Sequence, residues 1–245
     1  MNSAVTGKTP AHTAPATALH RGLLTSCLIA APVLLTVSEL ARLQVENSRV
    51  ESDDSYRDVL SELDAVTAHI ALWRLAAWLD LAFILTWIGA LVAAVIVIHR
   101  TRPRMAALTG VTAAMSVVGL SMHHAFYYQE LADLAGIPDH DATARLLAQA
   151  GSEPLSVAAL LMFLIGALLT PIILGVGMWR SQSLPWWAAA GLLFWTGSVL
   201  IGSEATPAAL ANLALLLPFA ALAGELTATS PAAKRPQVAE KLPNM

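Results

Sequence analysis

Asp80 is the residue that most needs a chemical explanation. It lies inside a long apolar stretch of a 245-residue chain, where an ionised carboxylate at mid-membrane depth costs on the order of 2.5–3.5 kcal/mol. Arg74 precedes it by six residues, about 9 Å along a helix and about 120° around it, which makes Arg74 a poor direct partner. Better partners lie in the next apolar segment. There Thr112, Ser116, Gly119, His123, Tyr127 and Glu130 recur at spacings of four, three, four, four and three. A stripe of small and polar residues faces other helices rather than lipid. His123 stands about 10 Å below Glu130 by the helical rise, level with Asp80. The pattern predicts a polar cluster of Asp80 with His123 or His124, and Tyr127 beside it. Such a cluster can tie helices together through hydrogen bonds, bind a solute, ion or proton, or hold a metal or haem. The residue types leave these alternatives open.

The remaining motifs carry less. His20, His69 and His99 fall at the edges of apolar segments, and Asp139-His140-Asp141 reads as a solvated loop. HExxH, GxSxG, CxxC and phosphate-loop patterns are absent, so a hydrolase or ATPase reading has no support. No cofactor is expected. The alternative is a redox protein holding haem or a metal through His69, His123 or His124. Cys27 is the single cysteine, which excludes an intrachain disulfide.

The elements that must position these residues are six apolar stretches, at 22–41, 75–98, 105–127, 155–179, 185–202 and 206–226. Each approaches the ~20 residues that a helix needs to cross ~30 Å of hydrocarbon. Composition agrees: 56% of residues are hydrophobic and 13% charged, about half the charge of a soluble domain. The net charge of −3 gives no footprint for a nucleic-acid partner. A cleavage site after the first stretch is not evident, so that stretch is expected to be a retained helix.

The connecting loops alternate in charge. Lys8, Arg21, Arg100, Arg102, Arg104, Arg180, Lys234, Arg235 and Lys241 fall on one side. Glu46, Glu51, Asp53, Asp54, Asp58, Glu62, Asp64, Glu130, Asp133, Asp139, Asp141 and Glu153 fall on the other. The positive-inside rule then puts both termini in the cytoplasm. Residues 1–18 and 229–245 are expected to be disordered tails around a transmembrane domain at 19–228. Tyr56, Val59, Leu60, Leu63, Val66 and Ile70 predict an amphipathic outer helix within about 52–70, with Ser55 and Asp58 as its capping box. A second outer helix is expected within 139–151, closed by Gly151. Pro154 and Pro207 suit first helical turns, while Pro32, Pro171 and Pro218 should kink helices. Trp186 and Trp187 read as anchors at the inner interface. Trp73, Trp78, Tyr127 and Tyr128 read as anchors at the outer one.

The run Trp73-Arg74-Leu75 through Asp80-Leu81, followed by an apolar stretch and a short basic turn, resembles a domain-of-unknown-function family of six-helix bacterial membrane proteins. In that family an arginine near the start of helix two precedes an Asp-Leu pair; the His123-His124 pair is no part of the pattern. The resemblance covers mainly helix two and the helix layout. It implies a fold and a bacterial cytoplasmic-membrane location, and no chemistry. The expected fold is therefore all-α, a multi-pass bundle of six transmembrane helices with N- and C-termini cytoplasmic. The expected function is a non-enzymatic sensor or accessory protein, or a small-solute carrier, with lipid around it and a protein partner at the acidic outer face.

Overall fold

Backbone amides in hydrocarbon have no water to bond and must bond within their own segment. Among the described residues this chain meets that demand with helices alone. The computed structural model describes residues 15–50, 54–150, 154–181, 184–201 and 206–228. The expected disordered tails lie mostly outside these residues, and α1 (Pro15–Glu46) begins within the first of them.

After α1 come α2 (Ser55–Ala68), α3 (Ile70–His99) and α4 (Pro103–His123). A π-helical turn, His124–Gln129, carries α4 into α5 (Glu130–Leu134). Next are α6 (His140–Ala150), α7 (Pro154–Ser181), α8 (Trp186–Ile201) and α9 (Thr206–Ala211). A 3-10 turn, Asn212–Leu215, then leads into α10 (Leu216–Thr227). Among the described residues, five helical stretches are long and apolar enough to cross a membrane: Leu19–Glu46, Ile70–His99, Pro103–Leu134, Leu160–Arg180 and Ala209–Thr227. The stretch expected at 185–202 forms α8, whose 16 residues reach about 24 Å and fall short of the other five.

The outer surface of these helices is greasy. Leu85, Val92, Val111, Val118, Leu161, Leu193 and Phe194 are all exposed. In water so broad an apolar belt would drive aggregation, whereas acyl chains accept it. Length, composition and this surface together mark the chain as a membrane protein.

α3 is the central helix. Ala76, Ala77, Ala90, Ala93 and Ala94 are buried on it, and small side chains of this kind let neighbouring backbones approach closely. α1 runs antiparallel beside it, with Ser38 Oγ donating to the Ala76 carbonyl at 3.0 Å. Nearer the other end, a Cβ at Gly89 would stand 2.4 Å from Cys27 Sγ. α4 and α7 form a second antiparallel pair, through Gly119 against Phe163, Ser116 against Gly166, and a 2.8 Å bond from Thr170 Oγ1 to the Thr112 carbonyl. The predicted polar stripe of α4 is therefore this seam.

At the basic end, Arg100 donates to the Glu225 carbonyl and Arg102 to the Arg180 carbonyl, both at 3.2 Å. The turn between α3 and α4 thus serves the last carbonyls of α10 and α7, where a helix carries partial negative charge.

A smaller core sits at the acidic end. The amphipathic reading of α2 is realised by burial of Leu63 and Val66, with Tyr56, Val59 and Leu60 packed around them. The helix cap differs from expectation: Asp54, not Ser55, is the N-cap, its side chain accepting the Tyr56 amide at 3.1 Å. α6 docks on α2 through Tyr56 Oη donating to Asp141 at 2.5 Å and His140 Nδ1 meeting Asp64 at 2.8 Å. Asp139-His140-Asp141 is thus the start of a helix clasped to α2 rather than a free loop; Gly151 lies outside the described residues. Pro32 and Pro171 lie inside α1 and α7 as expected. Pro218 sits in the first turn of α10, just past the 3-10 turn.

Candidate functional site

The seam explains which histidine finds Asp80. His123 continues the stripe toward α7, where its ring stacks on Phe163 with centroids 4.5 Å apart and on Tyr127 at 5.2 Å. His124 lies about 100° further round the helix and so turns from α7 toward α3. Its Nδ1 is 2.8 Å from Asp80 Oδ2, and both side chains are 9% exposed. With Asp80 ionised, Nδ1–H donates to the carboxylate. Of the two partners predicted for Asp80, the structure selects His124. Arg74 is exposed and turned away.

Tyr127 does not join this pair. Its hydroxyl donates to Glu46 Oε1 at the end of α1. There Arg42 spans two acids, at 2.6 Å from Glu39 Oε2 and 2.5 Å from Glu46 Oε1. The sequence reading missed this cluster because it ended the first helix at residue 41 and left Glu46 in a loop. The signal was nevertheless present. Glu39, Arg42 and Glu46 share one helical face at i, i+3 and i+7. Glu62 from α2 lies beside Tyr127 and Glu46, and burial raises its carboxyl above the usual range, with Glu46 adding to the rise and Arg49 opposing it.

Two of the expected anchors are instead interior. Trp73 is wholly buried, and its indole N–H donates to the Tyr128 carbonyl at 3.0 Å. Tyr128 is 1% exposed, its hydroxyl beside Ser38. His124, Tyr127 and Tyr128 stand at i, i+3 and i+4, spacings that share one helical face, and here that face turns inward. Trp78, Trp186 and Trp187 are exposed, consistent with interfacial positions.

Two cavities flank the ion pairs. A central one of about 250 Å³ is lined by Asp80, Glu39, His123 and Tyr128 at one end, and by Phe83, Trp87, Trp195 and Asn212 further along. A polar one of about 620 Å³ lies toward the acidic end, lined by Arg42, Glu46, Arg49, Glu62 and Tyr127. The Glu39–Arg42–Glu46 bridge has one end in each. His69 is exposed at the junction of α2 and α3 and lines neither. Among the described residues, no three His, Cys, Asp or Glu side chains converge as a metal site would require.

The geometry defines a helical membrane protein with a buried carboxylate–imidazole pair whose carboxylate residue, Asp80, borders a partly open cavity. Compared with protein-family models, with curated proteins and with solved structures, the chain shows no significant match.

Proposed function

We propose that this chain is a small-solute carrier of a bacterial cytoplasmic membrane, in which Asp80, paired with His124, takes up and releases a proton or a bound cation. It has six spans in this reading, α8 being the fifth, and both termini are cytoplasmic. The cavities then lie in the outer half of the bundle. The basic turn at Arg100–Arg104 and Arg180, set against the acidic α2 and α6, supports that orientation.

One observation carries the reading: Asp80 is buried in an apolar bundle yet lines a partly open cavity between the helices. Intramembrane carboxylates that face a cavity mark solute and proton routes. The Glu39–Arg42–Glu46 bridge stands between the two cavities, with Glu39 lining one and Arg42 and Glu46 lining the other.

A sensor or accessory role would draw its partner to the acidic outer helices. Much of that charge is already engaged within the chain, Asp58 with Arg49, Asp64 with His140 and Asp141 with Arg145, so the carrier reading takes precedence.

The test compares cells producing the chain, cells producing Asp80→Asn at equal membrane level, and cells producing neither. All three are given one defined mixture of labelled small solutes, and their contents are read by mass spectrometry. A solute whose level follows Asp80 is the expected result. Identical contents in all three would overturn the carrier reading.

A further inference from the structure

α3 and α4 follow one another through a short turn, which makes them antiparallel neighbours. They nevertheless leave a groove between them, in the half of the bundle nearest that turn. Its volume is about 490 Å³, and every residue lining it is apolar or glycine. Ile88, Val92 and Val95 stand on its α3 wall, and Gly110, Ala114 and Val117 on its α4 wall. Gly110 marks the gap most plainly. A Cβ built there meets nothing within 4 Å, whereas one at Gly119, on the packed seam with α7, would lie 2.5 Å from Phe163 Cα.

Depth and charge decide what fills this space. The groove runs from Ile88 to Ile96 on α3 and from Gly110 to Val118 on α4, about 12 Å along either axis. One leaflet of hydrocarbon is about 15 Å deep, half of the ~30 Å core. Arg100 lies about 6 Å beyond Ile96, and Arg104 about 9 Å before Gly110, by the helical rise. That offset matches one headgroup layer, roughly 5–8 Å thick. The groove therefore sits at the depth of acyl chains and the basic turn at the depth of phosphates.

The charge at that level is unmatched. Arg100, Arg102, Arg104 and Arg180 are all exposed, and none makes an ion pair among the described residues. Arg100 and Arg102 each bond a backbone carbonyl, of Glu225 and Arg180, through one nitrogen. Their charge and their remaining N–H donors stay available to an anion. A second copy of the chain is the other occupant that an apolar helix face could take. In a membrane, a closed dimer sets equivalent ends side by side, so two basic turns would meet and repel. A phospholipid with net negative charge reverses that sign and brings an apolar chain of its own.

We infer that the groove between α3 and α4 binds one anionic phospholipid, with an acyl chain against Val92 and Gly110 and the headgroup phosphate among Arg100, Arg102 and Arg104. The volume of about 490 Å³ holds on the order of sixteen small groups, at the ~30 Å³ that a water occupies in the liquid. That is the bulk of a single lipid tail. Such a site would exist whether or not the chain moves solutes.

Native mass spectrometry of the purified full-length protein, in a detergent mild enough to retain lipid, reads the site directly. Phosphatidylglycerol and phosphatidylethanolamine with identical oleoyl tails are titrated separately. One phosphatidylglycerol is expected to bind about tenfold or more tighter than the first phosphatidylethanolamine, since each arginine near an anionic headgroup contributes about fivefold. Arg104→Gln should weaken phosphatidylglycerol about fivefold and leave phosphatidylethanolamine unchanged. Gly110→Leu should remove the tight lipid, because its side chain stands in the groove. Gly22→Leu, at a glycine equally open but off the groove, should keep it. The comparison of the two lipids uses the native chain alone, so it decides even where a variant does not fold.

Equal affinity for the two lipids, or tight binding retained in Gly110→Leu, would overturn the inference. So would a lipid-free dimer that Gly110→Leu dissociates, since the groove would then belong to a second copy. Solute uptake that depends on Asp80 bears on none of these outcomes, and the two readings stand or fall separately.

Discussion

Replacing Gly119 by alanine should force α4 and α7 apart, and the geometry sets the scale. A Cβ at Gly119 would lie 2.5 Å from Phe163 Cα, and one at Gly166 would lie 2.5 Å from Ser116 Cα. Both obstacles are backbone, so no side chain can swing away. Restoring contacts of about 3.5 Å requires the helices to part by about 1 Å. That stretches the Thr170–Thr112 hydrogen bond from 2.8 Å to roughly 3.8 Å, beyond its useful range. Overpacking of this kind costs about 1–3 kcal/mol, against a gain in helix propensity of up to about 1 kcal/mol for Gly→Ala.

Gly110 separates the two effects, because a Cβ there meets nothing within 4 Å. Gly110→Ala should therefore be neutral or stabilising. Gly119→Ala and Gly166→Ala should each destabilise, and the double variant should cost less than the sum of the two, since one parting admits both methyl groups. Unfolding of the detergent-solubilised protein, followed by circular dichroism through a denaturant titration, measures all four variants. If Gly119→Ala proves as stable as Gly110→Ala, or if the two costs add, the close approach of α4 and α7 is wrong.

Arg42→Gln should cost about 1–3 kcal/mol by leaving the half-buried Glu39 and Glu46 without their cation, and adding Glu39→Gln and Glu46→Gln should recover most of it. An unfolding midpoint unchanged by Arg42→Gln would refute the bridge. Glu62 holds its proton more tightly folded than unfolded. Below its unfolded pKa it is neutral in both states, so its penalty is absent there. The penalty grows as pH rises through the window up to the folded value, and above that it is complete. Glu62→Gln should accordingly raise the midpoint at neutral pH and leave it unchanged near pH 4, so a variant equally stabilised at both would contradict the cause assigned. Trp73→Phe should cost about 1 kcal/mol by removing the indole N–H bond to the Tyr128 carbonyl, as read from the same titration; no loss would refute that bond's part in fastening α3 to the turn after α4.

Much of the helix layout was legible because hydropathy runs and charge alternation follow from the solvent on each side of the chain. The α2 face was legible for a similar reason: Leu63 and Val66 keep helical spacing and are buried together. Asp80 announced itself by cost. What stayed hidden depended on rotation and local winding. Choosing His124 over His123 needs the direction of the α4–α7 seam, which Gly119 and Gly166 fix only through contact with each other's helices. The burial of Tyr128 and Trp73 has no hydropathy signature, since aromatic residues at the end of an apolar run read as interfacial anchors until the neighbouring helices are placed. Glu39, Arg42 and Glu46 were obscured because a charged face at a helix end reads as the start of water. Here α1 continues past that point, and the charges satisfy one another.

A hydrogen bond whose only task is to fasten two helices has no use for empty space around it. Ser38 on the Ala76 carbonyl and Thr170 on the Thr112 carbonyl are of that kind, made by buried hydroxyls to a neighbouring backbone. Asp80 differs in both charge and surroundings. One of its oxygens is engaged by His124, and the residue also borders the central cavity. A neutral asparagine or serine could link α3 to α4 at lower desolvation cost. Retaining an ionisable group here makes sense where its charge is matched at some stage by a proton or a cation coming through the space beside it.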